Sequence, residues 1–335
     1  MRQTMTQLDT HRDRISALSQ SIKTASYTQP VTGNSASGEI RRICRLESIS
    51  PKQSEKQTDY LLTVRFANKK CGQAQWSPTE KNLLLPELKS ILYVETDPMY
   101  KVNGATVSDK STRLLRYWQP IISDYSLAYL QTLFCKAPQP HALLRLLALI
   151  NRLKDKRSKQ LLTDLFGQID IAKAFVTVPA SYKHHHSMPG GLLIHSVECA
   201  EWLEKIAYDT LPKAEAELTI IAALLHDLGK IETMRHPDSG FLVTHEVLSL
   251  TLVEPFLCQM QSSWKQGANA LRQMLSWPLN SLKFPKLPGL LLVKMADQYS
   301  TALSARNMAF AGQPDYFYWA SLKTSKSTQF FNRIR

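Results

Sequence analysis

The chain has 335 residues, 44% of them hydrophobic, and a formal net charge of +13. That length suits two modest domains better than one, and that apolar content excludes global disorder. So large a positive excess favours an anionic partner, nucleic acid being the commonest for a soluble protein, over the plainer alternative of a solvated basic surface that only confers solubility.

The five cysteines (Cys44, Cys71, Cys135, Cys199 and Cys258) are scattered, with no C-x-x-C pair. This excludes a zinc ribbon or a thioredoxin-type motif and fits a reducing compartment. The N-terminal MRQTMTQLDTHRDRIS lacks the apolar core of a signal peptide, and no apolar run approaches membrane-spanning length. The expectation is a soluble, cytoplasmic protein with no membrane partner; a homo-oligomer is compatible with the sequence.

In chain order, residues 1–36 are polar. A short helix over 6–23 and the linker TASYTQPVTGNSASG predict a flexible N-terminal segment. Residues 37–108 read as β-rich. EIRRICRLESI, DYLLTVRFA, CGQAQWS, SILYVET and MYKVNGATV carry β-branched or aromatic residues between polar turns, and Asn103-Gly104 is a hairpin signal. LLLPELK, after the third run, reads as a short helix. Five strands with a helix after the third are what an OB-type barrel needs.

From about residue 111 apolar residues recur three and four apart, in STRLLRYWQPIISDYSLAYLQTLF and HALLRLLALINRLKDKRSKQLLTDLF, and helical patterns continue almost to the end. The predicted fold class is α+β, a small OB-like β-barrel over 37–108 followed by an all-α domain over 109–335.

Three segments of the helical part carry chemistry. ELTIIAALL reads as a buried helix and runs straight into His226 and Asp227, with Gly229 as a helix stop. Adjacent ionisable residues at the end of a buried helix are costly unless paired; a divalent metal would satisfy both, and so would a structural His–Asp hydrogen bond. Upstream, PASYKHHHSMPGGLLIHSVECAEWLEKIA holds three consecutive histidines, a Gly-Gly that lets a helix start tightly, and then His195 beside an apolar stripe. Taken alone, His195 could equally be a satisfied core histidine. Downstream, Asp297 is the only acid in LLLVKMADQYSTAL, where it wants a metal or an ion pair with Lys294.

The order His … His-Asp … Asp on successive helices closely resembles the HD superfamily of phosphohydrolases. Two of its families are similar locally. The YhaM-type 3′-to-5′ exoribonucleases join an OB-fold to an HD domain; the chain resembles them in domain order and in the stretch from LLRLLALINRLKDKRSKQLL through AFVTVPASYKHHHSMPGGLLIHS to LLHDLGK, and the resemblance covers most of residues 37–300. The TraI-like domain of MobH-type conjugative relaxases shares the block of PAS, His-His-His, Gly-Gly and His within the helical core only.

The resemblance implies that His195, His226, Asp227 and Asp297 are metal ligands and that Lys230 lies near the scissile phosphate. It implies that His245 is a further active-site histidine, and that His185 and His186 face substrate or metal. In one place the chain departs from the YhaM-type pattern: Ser276 and Trp277 stand where a further pair of adjacent histidines is expected, which leaves a second metal site poorer in ligands.

The reaction implied is phosphoester hydrolysis. A ligand set of His and Asp without Cys suits Mn²⁺, Fe²⁺, Co²⁺ or Zn²⁺, and the resemblance favours Mn²⁺. Asp227 is the candidate for holding metal and attacking water, and His245 or His186 for protonating the leaving oxygen. In the barrel, Tyr60, Phe66, Trp76 and Tyr93 are candidates for base stacking, and Arg41, Arg42, Arg65, Lys69 and Lys70 for phosphate contacts; at least half of those aromatics are expected in the barrel core instead. The C-terminal PDYFYWASLKTSKSTQFFNRIR reads as a strand-binding arm or as a helix packed on the core.

The leading expectation is a metal-dependent nuclease acting on single-stranded RNA or DNA from the 3′ end. The alternatives are a nucleotide phosphohydrolase and a non-catalytic, TraI-like nucleic-acid-binding component of a conjugation or mobile-element system. With no P-loop and no Gly-x-Gly-x-x-Gly, the sequence disfavours an ATPase or a dinucleotide enzyme.

Overall fold

The computed structural model describes residues 40–53, 58–78, 85–96, 113–120, 127–182, 186–235, 242–276, 284–323 and 327–334. Segment 1–36 and the Asn103-Gly104 turn lie outside them. The chain divides into two compact units between Lys136 and Ala137, well beyond the boundary expected at residue 108. The fold is α+β, with an OB-like β unit followed by a helical one.

The first unit contains β1 (Ile40–Gln53), β2 (Thr58–Arg65), β3 (Cys71–Trp76), β4 (Ile91–Thr96) and β5 (Arg113–Pro120), then a short helix α1 (Ala128–Leu133). The strands form a ring in the order β1-β2-β3-β5-β4, with β4 returning to β1. All pairings are antiparallel except β3 with β5, a parallel seam of two residue pairs. The 14-residue β1 serves two neighbours, pairing β4 through Ile40–Arg45 and β2 through Arg45–Gln53, with a register shift between Leu46 and Ser48. Period-2 alternation sends Leu62 and Val64 inward with Cys44, Leu46, Ala74, Trp76, Leu92, Val94 and Leu115. Helix α1 closes on this barrel. Gln131 Oε1 accepts from the Ile91 N–H at 3.2 Å, and the Arg45 guanidinium donates to the Thr132 carbonyl.

Two expectations for this unit are corrected. Residues 113–120, read as helical, form the fifth strand, because the apolar spacing of RLLRYWQP suits either period and the open edge of β4 decides. The described end of LLLPELK, Leu85–Lys89, is irregular and turn rather than helix. The fifth strand expected at MYKVNGATV lies outside the described residues.

The second unit begins with α2 (Pro140–Arg152), α3 (Lys156–Gly167) and α4 (Ile169–Thr177). Pro140 occupies the first turn of α2, where its missing N–H costs nothing, and the Asp155 side chain caps α3 by accepting from the Arg157 N–H. At the centre lie α5 (Gly191–Glu204) and α7 (Lys213–Leu225), with α6 (Ala207–Thr210) between them. Both central helices are buried nearly all round, which is why their apolar residues show no single face. Glu217 is buried within α7, and its carboxylate accepts the Lys154 and Asp155 N–H groups at 2.7 and 3.0 Å. Arg145 and Arg152 on α2 reach Glu201 and Glu204 on α5 through pairs of hydrogen bonds.

Next come α8 (Lys230–Arg235), α9 (His245–Ser276) and α10 (Gly289–Ala309); α10 packs on both α5 and α7, α9 on α7, and α8 on α9 and α4. Helix α9 is broken at Trp264, whose φ and ψ of −154° and 75° are not helical and whose ring carries the Arg157 guanidinium 4.0 Å above it. The C-terminal segment is neither helix nor free arm. It forms an antiparallel hairpin, β6 (Trp319–Lys323) with β7 (Thr328–Asn332). Ala320, Leu322 and Phe331 pack against the end of α10 at Ala309 and Phe310, while Trp319 and Phe330 face solvent with ring centroids 6.0 Å apart.

Candidate metal centre

The Gly-Gly before α5 has a steric cause at each position. Gly190 adopts a left-handed φ of 76°. A Cβ on Gly191 would lie 1.8 Å from the carbonyl oxygen of His186, so only glycine lets that backbone close on the start of α5. His195 follows in the second turn and is fully buried.

His226 directly follows α7, and Asp227 lies in the turn between α7 and α8. Gly229 does not act as a left-handed helix stop. Its Cβ would lie 2.1 Å from the His245 carbonyl oxygen and 2.7 Å from the Ser249 nitrogen, so it is glycine because α9 passes that close. Ser249 Oγ, itself buried, accepts the Gly229 N–H at 2.7 Å and sits 2.8 Å from the carbonyl oxygens of both His226 and His245. The start of α9 is thereby pinned against the His-Asp turn.

His195, His226 and Asp297 offer ligand atoms that all lie within 4.8 Å of one another. His195 Nε2 stands 3.2 Å from Asp297 Oδ1 and 3.3 Å from Asp227 Oδ2. His226 Nε2 stands 3.4 Å from Asp227 Oδ2 and 3.8 Å from Asp297 Oδ1. Lys230 Nζ donates to Asp227 Oδ2 at 2.5 Å, and His245 Nε2 lies 3.2 Å from Asp227 Oδ1.

The outer nitrogens fix the tautomers. His226 Nδ1 is 2.8 Å from the Ala223 carbonyl oxygen, which can only accept, so Nδ1 carries a proton. In the neutral ring Nε2 then presents a lone pair to the centre, and it is buried with no hydrogen-bond partner. A buried acceptor aimed between two carboxylates is the arrangement a divalent cation satisfies. Metal–nitrogen and metal–oxygen bonds of roughly 2.0–2.2 Å fit between donors this closely grouped, so the residues fit the group.

Without a cation, the two carboxylates are held by the cationic side chains around them. Burial disfavours a charged His195, yet its contacts with Asp227 and Asp297 outweigh this and raise its pKa well above 6.5. Burial opposes ionisation of Asp227, but the His226 ring, the Lys230 ammonium and the bonds from His195 and His245 hold it well below the ordinary range. Asp297 is likewise opposed by burial and is held down by the two imidazoles. Behind the centre, burial pushes the Glu198 carboxyl up to about 7 against the pull of the Ser300 hydroxyl.

The residues expected from the sequence are thus distributed unevenly. His195, His226, Asp227 and Asp297 converge, with Lys230 and His245 on Asp227. His186 is 6% exposed, and its Nε2 lies 3.2 Å from Glu198 Oε2 and 3.5 Å from Ser300 Oγ, on the outer side of His195. His185 and Trp277 lie outside the described residues, and Ser276 is the exposed last residue of α9.

In the barrel, Trp76 is corrected from stacking platform to core. It is 3% exposed and packs 5.9 Å from the Tyr60 ring, because its strand position points inward. Arg65 donates to Glu47 at 3.0 Å, while Lys69 and Lys70 are exposed in the β2–β3 turn. The side chains of Arg41 and Arg42 lie outside the described residues. Sequence reasoning missed Glu198 and Ser300; the available signal was their spacing, each three residues beyond a candidate ligand and so on the same helix face.

Residues 192–302 match the family model of the HD domain, a span that includes His195, His226, Asp227 and Asp297. The helical unit therefore carries an HD domain, and the resemblance to HD phosphohydrolases is borne out; such a domain implies a bound divalent metal. Among curated proteins the chain is similar to the 3′-5′ exoribonuclease YhaM of Bacillus licheniformis, 34% identical over 67 residues, which is 20% of this chain and 21% of that protein. The similarity to YhaM of Bacillus velezensis is 35% over 68 residues, with the same coverage of 20% and 21%. For Bacillus subtilis YhaM it is 35% over 65 residues, 19% of this chain and 20% of the relative. The chain thus spans about a fifth of the length of the curated relatives it matches. No solved structure matches it. Among the described residues no helix is long and apolar enough to cross a membrane.

Proposed function

We propose that the protein is a metal-dependent phosphodiesterase that degrades single-stranded nucleic acid, acting as a 3′-5′ exonuclease. The observation that carries this reading is the buried, partnerless Nε2 of His226 facing His195, Asp227 and Asp297. Those four residues would hold the cation, with Mn²⁺ favoured by the family resemblance and Fe²⁺, Co²⁺ or Zn²⁺ as substitutes. Bound there, the cation supplies a water of lowered pKa and a Lewis acid for the phosphoryl oxygens. Asp227 accepts a hydrogen bond from the attacking water. The Lys230 ammonium, already 2.5 Å from that carboxylate, offsets charge that grows on the phosphate in the transition state.

Of the two candidates for protonating the leaving oxygen, His245 is favoured. Its side chain is 36% exposed beside Asp227, whereas His186 is enclosed against Glu198. The substrate class is supported by the exoribonuclease activity of the similar YhaM proteins, by the OB-like barrel and by the charge of +13. Lys69 and Lys70 on the barrel, and solvent-facing Trp319 and Phe330 on the hairpin, offer phosphate contacts and stacking.

The test is purified protein with Mn²⁺ on 5′-labelled single-stranded RNA and DNA. Progressive shortening from the 3′ end is expected, abolished by His226→Ala or Asp227→Ala. Variants that bind and degrade the strand like wild type would overturn the reading. Binding without cleavage by any of them would favour the non-catalytic TraI-like alternative, and turnover confined to free nucleotides the nucleotide phosphohydrolase.

A further inference from the structure

We propose that Ser300 and Glu198 are positioning residues that fix the tautomer and aim of His195, setting how tightly the centre holds its cation. The inference rests on the metal-centre reading above and deepens it.

Ser300 is 3% exposed on α10, and Glu198 lies one turn beyond His195 on α5. Ser300 Oγ lies 2.9 Å from Glu198 Oε2 and 3.1 Å from His195 Nδ1. A serine hydroxyl has a single hydrogen, and Glu198 in its ionised form, the form that Ser300 Oγ donates to, can only accept. The hydrogen therefore goes to Glu198, and Oγ has only lone pairs left for His195. Nδ1 must then be the donor, so the ligand lone pair of His195 is confined to Nε2, the nitrogen that faces Asp227 and Asp297.

His186 completes the chain. Its Nε2 lies 3.2 Å from the same Glu198 oxygen, and its backbone is clamped onto Gly191 at the start of α5. The hydrogen bonds from His195 through Ser300 and from His186 thus converge on Glu198 from two sides. This places the third histidine of the His-His-His run in a supporting role. His226 uses a backbone carbonyl for the same purpose, so the two imidazoles are aimed by independent means, and only one of them is open to side-chain mutation.

The experiment titrates the full chain with Mn²⁺, followed by electron paramagnetic resonance, for wild type, Ser300→Ala and Glu198→Gln. Amide spectra of each metal-free protein check the fold. Loss of an outer partner to a metal-bound histidine weakens metal affinity by roughly 10–100-fold. That loss is expected for Ser300→Ala, with a smaller one for Glu198→Gln, whose near-identical volume keeps the test decisive should the serine variant misfold. In the Zn²⁺-loaded protein, long-range proton–nitrogen spectra should find the His195 proton on Nδ1 in wild type and lose its hydrogen-bonded signature in Ser300→Ala. Wild-type Mn²⁺ affinity in the folded variants would overturn the proposal while leaving the metal centre standing. A wild type that binds no cation would take down the centre and the proposal together.

Discussion

At the scale of single residues, the centre is organised by what each polar atom can donate. Both imidazoles spend Nδ1 on an outer partner and turn Nε2 inward. Asp297→Asn keeps the shape and removes the anion, so the prediction is a protein that folds but binds less than a tenth of an equivalent of Mn²⁺ under conditions that saturate wild type, a loss of about a hundredfold in affinity, or about 2.7 kcal/mol. Metal analysis after gel filtration measures it. Gly229→Ala touches no ligand, yet its Cβ would collide with the backbone of His245 and Ser249. Overpacking of this kind costs about 1–3 kcal/mol. A fall in melting temperature of roughly 2–4 °C per kcal/mol is expected, together with weakened metal binding as α9 is pushed off the His-Asp turn.

The candidate ligands were legible in the sequence because an ionisable residue inside an apolar run is conspicuous. Glu198 and Ser300 were not, since a Glu and a Ser at helical spacing read as ordinary helix until α5 and α10 bring them together. The reason for Gly229 was hidden for the same cause: close approach by a segment twenty residues away leaves no local mark.

At the scale of elements, the helical unit was easier to read than the barrel. Buried helices such as α7 announce themselves by length and continuous apolarity. The strand Arg113–Pro120 has four apolar or aromatic residues whose spacing fits a helix as well as a strand, and only pairing with β4 chose between them. The C-terminal hairpin was hidden likewise, because its inward face needs Ala309 and Phe310 of α10 to be recognisable.

Within the barrel, Glu47 gathers Arg45, Arg65 and Lys89 from three places in the chain at 2.6, 3.0 and 2.6 Å. Burial pushes its carboxyl up, but Lys89, Arg45 and Arg65 outweigh that and hold its pKa at about 2 against an ordinary 4.5. Because the folded value is depressed, its stabilisation is complete above the ordinary value and is lost as pH falls toward about 2. Glu47→Gln should therefore lower the melting temperature at neutral pH, and the gap from wild type should close as the pH is lowered through that window. A gap that stays constant with pH would refute the assignment.

At the scale of the whole molecule, a charge of +13 and an OB-like barrel accompany a candidate metal centre that, under the proposed function, would need neither to cleave a small phosphodiester. The two units therefore make separable contributions. Lys69→Glu combined with Lys70→Glu should weaken binding of a single strand and reduce the slope of log affinity against log salt by about 1–2. Hydrolysis of bis(p-nitrophenyl) phosphate by the same variant should match wild type, since neither lysine belongs to the centre. Filter binding across a salt series and a colorimetric assay separate the two outcomes.

The register shift in β1 has a consequence for how this ring can be damaged. Leu46 faces Val64 and Ser48 faces Thr63, so Glu47 is the surplus residue of a bulge. Excising it would leave every inward and outward position in phase, and by pattern alone the shortened strand would look improved. What disappears is the bend that lets one strand turn from β4 to β2, and the strain of a straightened β1 would fall on the two-pair parallel seam between β3 and β5. A deletion invisible to hydrophobic patterning should split the barrel at its weakest joint.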